Sequence, residues 1–192
     1  RVVARSIKID GGKHGEVRVA GRLDASGKDA GEKGGRVEIT GQNVALTGAD
    51  VDVSGDAGGG TALIGGGREG KGPLANAEAL YVDSASTINA DAITSGNGGT
   101  IVLYSKNSTR TGGTLTARGG LHSGNGGFIE TSGGWLAVSG SPNTAARALL
   151  GKGGQWLIDP LNLDVIAGPS VDVSGPPVFT PTSTTGFLSV TD

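Results

Sequence analysis

The sequence predicts an all-β chain wound as a parallel β-helix, a solenoid of short strands joined by glycine-rich turns. Three observations carry that expectation. Short apolar alternations recur in triplets within one frame; each series opens just after a glycine; and one five-residue turn, Ser-Gly-Asn-Gly-Gly, is spelled identically at residues 95–99 and 123–127. Repetition at a period of a few tens of residues marks architectures whose units bury their apolar faces only by stacking on neighbours.

The composition agrees. The 192 residues include 38 Gly, no Cys, no Met and seven aromatic side chains, too few bulky groups for a thick layered core. Glycine without a strict Gly-X-Y period excludes collagen, and the recurring Val, Ile and Leu argue against simple disorder. The net charge is −2 with both signs interspersed. No basic field is present to hold nucleic acid, and no basic amphipathic face to hold a membrane. No apolar run approaches the roughly 18–20 residues of a membrane-spanning helix, so no membrane insertion is expected. The absence of Cys suits a chain that crosses an oxidising compartment unfolded, and suits many cytosolic proteins equally. Residues 1–5 are too short and too charged for a signal peptide, and a start at Arg1 without Met reads as a processed product or a fragment of a longer chain.

Glycines that precede an apolar alternation stand at Gly15, Gly35, Gly60, Gly99, Gly127 and Gly154, at spacings of 20, 25, 39, 28 and 27 residues. Those intervals suit solenoid coils with loops of variable length better than propeller blades of about 40 residues or more. In the first coil Ile7 and Ile9, Val17 and Val19, then Leu23 and Ala25 take inward positions, with Lys8, Arg18 and Asp24 facing water. Residues 36–55 are the clearest unit. Val37 and Ile39, Val44 and Leu46, Val51 and Val53 point one way, Glu38, Ala45 and Asp52 the other, with corners at Gly41, Gly48 and Gly55. Three strands of about five residues then make one triangular coil. A two-layer sandwich also uses short alternating strands, but it does not predict the triplets Val-Glu-Ile, Val-Ala-Leu and Val-Asp-Val in one frame.

The pattern lapses over residues 65–79, an insertion that accounts for the 39-residue interval. Alternation returns at Tyr81, then Ile88 and Ala90; Ile101 and Leu103 open the next coil, and Leu115 and Ala117 follow. Ile129, Leu136 and Val138 make another, and residues 145–150 (AARALL) read as one or two helical turns on its outside. Trp156 and Ile158 take inward positions in the last clear coil. Asp159-Pro160 stops the ladder, because proline has no N–H to donate. Residues 161–168 read as one more strand, so 1–168 is expected to form a β-helix of about six or seven coils. From Pro169 to Asp192 the chain turns rich in Pro, Thr and Ser, the composition of a linker or an extended strap able to pair with a neighbouring sheet edge.

Few motifs carry chemistry. Residues 65–71 match the GxxxxGK of a phosphate-binding loop, but Gly72 stands where a Ser or Thr would hold magnesium, so the segment reads as a flexible surface loop. Asp24 and Asp52 occupy equivalent outward positions and are expected near each other in a ladder. Paired carboxylates on a β-helix are what a polysaccharide lyase or hydrolase uses, yet no Asp-Asp pair occurs and His14 and His122 both sit in glycine turns, so the aspartates read as solvated. The calcium nonapeptide is not matched. Asn107-Ser108-Thr109 is a glycosylation sequon that matters only if the source organism modifies exported proteins. No catalytic residue, cofactor site or metal site is assigned.

The Asn-Gly-Gly turn with its apolar strand (residues 97–103), Gly-Gly-Phe-Ile-Glu-Thr-Ser-Gly (126–133) and Leu-Ile-Asp-Pro-Leu-Asn (157–162) together resemble the shaft of two-partner secretion exoproteins, the filamentous haemagglutinin-like adhesins of Gram-negative bacteria. Residues 65–92 are similar to the segment that usually precedes them, and the likeness is strongest over residues 35–165. The resemblance implies a right-handed parallel β-helix on a secreted, cell-surface protein, exported unfolded through an outer-membrane β-barrel partner. It implies a non-enzymatic shaft or filament segment that associates with further coils of a parent chain or with itself and reaches a host or neighbouring cell. The amino-terminal secretion domain of such proteins is not found in these residues, so the barrel partner belongs to the parent chain. A carbohydrate-active β-helix enzyme and the stalk of a contact-dependent inhibition toxin are the alternatives.

Overall fold

The computed structural model describes residues 1–161 with their side chains, that of Ser141 excepted, and the backbone of two further strands, Leu163–Ile166 and Gly186–Ser189. The chain is all-β and coils as a parallel β-solenoid of about six turns. Its strands, in order, are β1 Val2–Val3, β2 Ser6–Asp10, β3 Glu16–Asp24, β4 Arg36–Thr40, β5 Asn43–Asp52, β6 Thr61–Ile64, β7 Ala79–Val82, β8 Thr87–Asn89 and β9 Thr100–Tyr104. They continue with β10 Ser108–Thr111, β11 Thr114–Thr116, β12 Phe128–Gly133, β13 Trp135–Val138, β14 Ser141–Asn143 and β15 Gln155–Pro160. Strands β16 Leu163–Ile166 and β17 Gly186–Ser189 pair in parallel as a separate two-stranded sheet. The remainder of the Pro/Thr/Ser-rich stretch 169–192 lies outside the described residues.

Three faces wind about one core. The first stacks β2, β4, β6, β9, β12 and β15. The second stacks the leading half of β3, the leading half of β5, then β7, β10 and β13; the third stacks β1, the trailing halves of β3 and β5, then β8, β11 and β14. Strands β3 and β5 bend from one face to the next at Gly21 (φ 119°) and Gly48 (φ 62°), a left-handed backbone that a side chain disfavours.

Register places like residues in columns. On the first face Ile7, Val37, Ala62, Ile101, Ile129 and Trp156 align, beside Ile9, Ile39, Ile64, Leu103, Thr131 and Ile158. The expected inward residues of the 36–55 coil are all buried: Val37, Ile39, Leu46, Val51 and Val53 show no exposure and Val44 almost none. Each such side chain contributes about 1.5–3 kcal/mol on burial, but only because coils above and below cover it. Trp156 and Ile158 point inward as expected and remain half-buried, with one described neighbouring rung, β12.

The double glycines that precede β4, β6, β9, β12 and β15 share one physical cause. The second glycine of each pair donates its N–H across the corner at 2.7 Å: Gly35 to Ala25, Gly60 to Val53, Gly99 to Ala90, Gly127 to Ala117 and Gly154 to Thr144, each to a carbonyl oxygen. A Cβ on Gly99 would stand 2.1 Å from the carbonyl oxygen of Gly60 in the coil before, and one on Gly98 2.1 Å from that of Ala117 in the coil after. One glycine of the pair thus faces each neighbour. The Asn of the Ser-Gly-Asn-Gly-Gly turn adds a ladder: Asn97 Oδ1 accepts from the Asn125 N–H at 2.8 Å, and Asn125 Oδ1 from the Lys152 N–H at 2.9 Å.

Two expectations are corrected. Gly15 does not open a coil but precedes β3 on the second face; the first-face equivalent of Gly35 is Arg5, whose carbonyl accepts from the Arg36 N–H at 2.9 Å. Residues 145–150 form no helix. They make a loop closed by a turn from Gly151 N–H to Ala148 O, which leaves Leu149 and Leu150 exposed, and the Arg147 guanidinium holds it against the carbonyls of Gly119 and Ala92 on earlier coils.

Candidate functional site

Asp24 and Asp52 lie directly opposite each other in the β3–β5 register, as the sequence suggested. They are not solvated. Their side chains are 8% and 6% exposed, closed over by Arg22. The Arg22 guanidinium spans three carboxylates: Nε reaches Asp24 Oδ2 at 3.2 Å, Nη1 reaches Asp50 Oδ2 at 2.5 Å and Nη2 reaches Asp52 Oδ2 at 2.8 Å. Arg1 adds a bond to Asp24 at 3.0 Å and Lys28 one to Asp52 at 2.9 Å. Ser26 and Ser54, two residues along, donate both Oγ–H and backbone N–H to the aspartate before them. The same turn recurs with Asn89 and Asn143, which accept from the N–H of Asp91 and Ala145. It is the side-chain-capped turn that Asp and Asn favour, placed here at the end of the third face.

The electrostatics follow from those partners. The Ser26 hydroxyl, its amide and the two arginines hold Asp24 well below the usual carboxylate range. Burial pushes Asp52 up, but bonds from Ser54 and Lys28 outweigh it and the net shift is down. Both are therefore ionised at neutral pH. A two-carboxylate glycosidase needs one carboxyl held protonated as its acid, and neither of these can serve.

The phosphate-loop look-alike is a strap rather than a cradle. Residues 65–78 leave β6, form one 3-10 turn at Arg68–Gly70, and fold back over the outside of the first face. Three of the N–H groups that would cradle a phosphate are engaged: Glu69 donates to Glu130 Oε1 at 2.8 Å, Gly70 to Gly67 O and Lys71 to Arg68 O. The Lys71 ammonium is bonded to Glu69 at 2.5 Å, and the Arg68 guanidinium sits 4.1 Å above the centre of the Phe128 ring. The strap buries Val102, an outward position that would otherwise be wet, and it buries Glu130 completely.

Glu130 was not legible as special, since its alternation marks it only as outward. Its Oε1 accepts from Glu69 N–H and from Ser132 Oγ–H, both at 2.8 Å, while Oε2 is buried with no partner. Burial pushes its carboxyl up, and the charges of Asp159 and Glu69 add to the shift. A carboxyl whose folded value exceeds its unfolded one supports the fold while protonated, and that support is lost as pH rises through the folded value. Glu130→Gln keeps the acceptor and removes the charge. It is expected to melt with wild type near pH 4 and about 3 °C above it at pH 8; a melting difference independent of pH would refute the buried carboxyl as its source.

The other sequence candidates are dispersed. His14 and His122 are exposed on turns at different corners. Asn107 donates its side-chain amide to Glu78 at 3.0 Å, while Thr109 of the same sequon is buried, its hydroxyl bonded to Ser132 O at 2.7 Å. Among the described residues no group of three or more His, Cys, Asp or Glu side chains is placed to hold a metal ion, and no helix is long and apolar enough to cross a membrane. Compared with known proteins, the chain matches no family model and no curated protein.

Proposed function

We propose that this chain is a shaft or filament-forming segment of a secreted, filamentous haemagglutinin-like surface exoprotein, working by projection and stacking rather than catalysis. The observation that carries the reading is the uninterrupted in-register stack of the first face through six rungs. Away from that face, polar groups also bond between coils, as in the Asn97–Asn125–Lys152 ladder of the turns and the Arg22 cluster on the third face. At about 4.8 Å per rung the stack runs roughly 24 Å, and stiffness along that axis is what a projecting shaft needs. The motifs behind the resemblance are adjacent rungs, with β12 carrying Phe-Ile-Glu-Thr-Ser-Gly beside Gln-Trp-Leu-Ile-Asp-Pro in β15. An outer-membrane β-barrel transporter for the parent chain and a host or neighbouring cell surface are the partners this function calls for.

Among the described residues β2 and β15 each have one first-face neighbour, so each offers an unpaired edge to a further coil. Negative-stain electron microscopy across a concentration series tests how those edges are used. Filaments of constant width, lengthening with concentration, are expected. Gly153 is the natural control: among the described residues a Cβ there meets nothing within 4 Å, whereas its counterparts Gly98 and Gly126 face the next coil. Gly153→Ala is expected to melt as wild type and to stop growth of the filaments. Single-copy particles at every concentration would remove self-assembly and assign the edges to neighbouring segments of a longer chain.

A further inference from the structure

The second face carries a trough of about 400 Å³ that nothing in the shaft reading uses. Its floor is low because two diagonally adjacent outward positions are small, Ala45 on one coil and Ala79 on the next, each in its own column. Two of the seven aromatic side chains of the molecule stand along it. Tyr81, 42% exposed, follows Ala45 in its column, and Trp135 closes the column that runs Asn43, Ala79, Ser108, Trp135. The two rings belong to coils two rungs apart, roughly 10 Å along the axis. Hydrogen-bonding groups border them: Asn43 and Ser108 from the same column, Glu16 at one end and Arg110 beside Tyr81.

We propose that this trough binds an extended glycan, a strand of pyranose rings lying along the solenoid axis. The chemistry selects that class. Sugar rings present flat C–H faces and polar edges, which match aromatic side chains separated by small apolar floor residues and flanked by an amide, a hydroxyl, a carboxylate and a guanidinium. A peptide adding as a strand has no edge to pair with, since β5, β7 and β10 are each bonded on both sides within this face. A nucleic acid is disfavoured by the mixed signs of Glu16 and Arg110 and by the net charge of −2. Glu16 is the one carboxylate in the lining, so the two-carboxylate hydrolysis of a bound strand has only half its groups here. The site goes beyond the shaft reading, giving the side of the rod a ligand whichever way its ends are used.

Isothermal titration calorimetry of the whole chain with three β-1,4-linked hexasaccharides, of glucose, N-acetylglucosamine and mannuronic acid, tests it. Saturable binding of at least one is expected, with a shift in tryptophan emission from Trp135. Tyr81→Ala, at an exposed position that spares the core, is expected to weaken that binding at least tenfold. Arg110→Ala is expected to weaken the uronate hexamer more than the neutral ones. No saturable binding of any of the three to folded protein would overturn the proposal, as would binding that Tyr81→Ala and Arg110→Ala leave unchanged. Filament formation is read separately by microscopy, so failure of one does not imply failure of the other.

Discussion

Gly99→Ala is expected to destabilise the solenoid by at least about 3 kcal/mol, lowering the melting temperature by roughly 6–12 °C in a chain of this size. The added Cβ would lie 2.1 Å from the Gly60 carbonyl oxygen and 2.8 Å from the Gly60 nitrogen. Those atoms belong to the backbone of the preceding coil, so no side-chain rotation relieves the overlap. Separating the coils would also stretch the Gly99 N–H bond to Ala90 O and the Thr100 N–H bond to Gly60 O, now 2.7 and 2.8 Å. Two other glycines calibrate the effect. Gly12 has open space but a φ of 72°, so Gly12→Ala should cost about 1 kcal/mol through backbone conformation alone. Gly153→Ala, with neither constraint among the described residues, should fall within about 0.5 kcal/mol of wild type. Thermal unfolding followed by circular dichroism ranks the three, and a Gly99 variant melting with the Gly153 variant would refute the account of the paired glycines.

That account also shows which parts of the molecule the sequence could reveal. The two-residue alternation of Val37, Ile39, Val44, Leu46, Val51 and Val53 fixes their inward direction, because side chains of a strand alternate whatever the tertiary setting. The repeated Ser-Gly-Asn-Gly-Gly turn marked the corner because the close approach of coils admits nothing larger. Gly15 misleads for a related reason: a glycine before an alternation marks any corner, and even Gly-Gly pairs stand at other corners, as at Gly112-Gly113 and Gly133-Gly134. The strap was invisible. Nothing in residues 65–78 announces that they fold back over Val102 and Glu130, since contacts between residues 61 positions apart have no local signature. The aspartates are legible as a ladder but read as solvated, because the outward direction of a side chain says nothing about a long Arg22 lying over it. The trough escaped for the same reason, its parts coming from separate coils that only the register brings side by side.

Arg22→Ala should be the most damaging change on the outer surface, at about 3 kcal/mol and roughly 6–12 °C at pH 7. Removing the guanidinium leaves three aspartates with two exposed cations, Arg1 and Lys28, and the two least exposed carboxylates, Asp24 and Asp52, face each other across adjacent strands. Like charges directly opposite in a sheet are destabilising even in water, and these are mostly out of it. The pH dependence carries a definite sign. Depressed carboxyl values supply stability that is present above the unfolded value of about 3.9 and is lost as pH falls through the folded values. The wild type should therefore hold this contribution in full above about pH 4 and lose it progressively as pH falls below that toward the depressed folded values. Without Arg22 the carboxyls shift upward, and acid unfolding should begin at higher pH. Arg22→Lys should recover part of the loss, because an ammonium is a point charge that cannot hold three carboxylates in one plane. Salt at 0.5 M should narrow the gap between Arg22→Ala and wild type by screening the aspartates. An Arg22→Ala protein with wild-type melting temperature and acid midpoint would mean that the cluster is already screened by water, and that the cohesion of the coils resides in the core and the glycine corners alone.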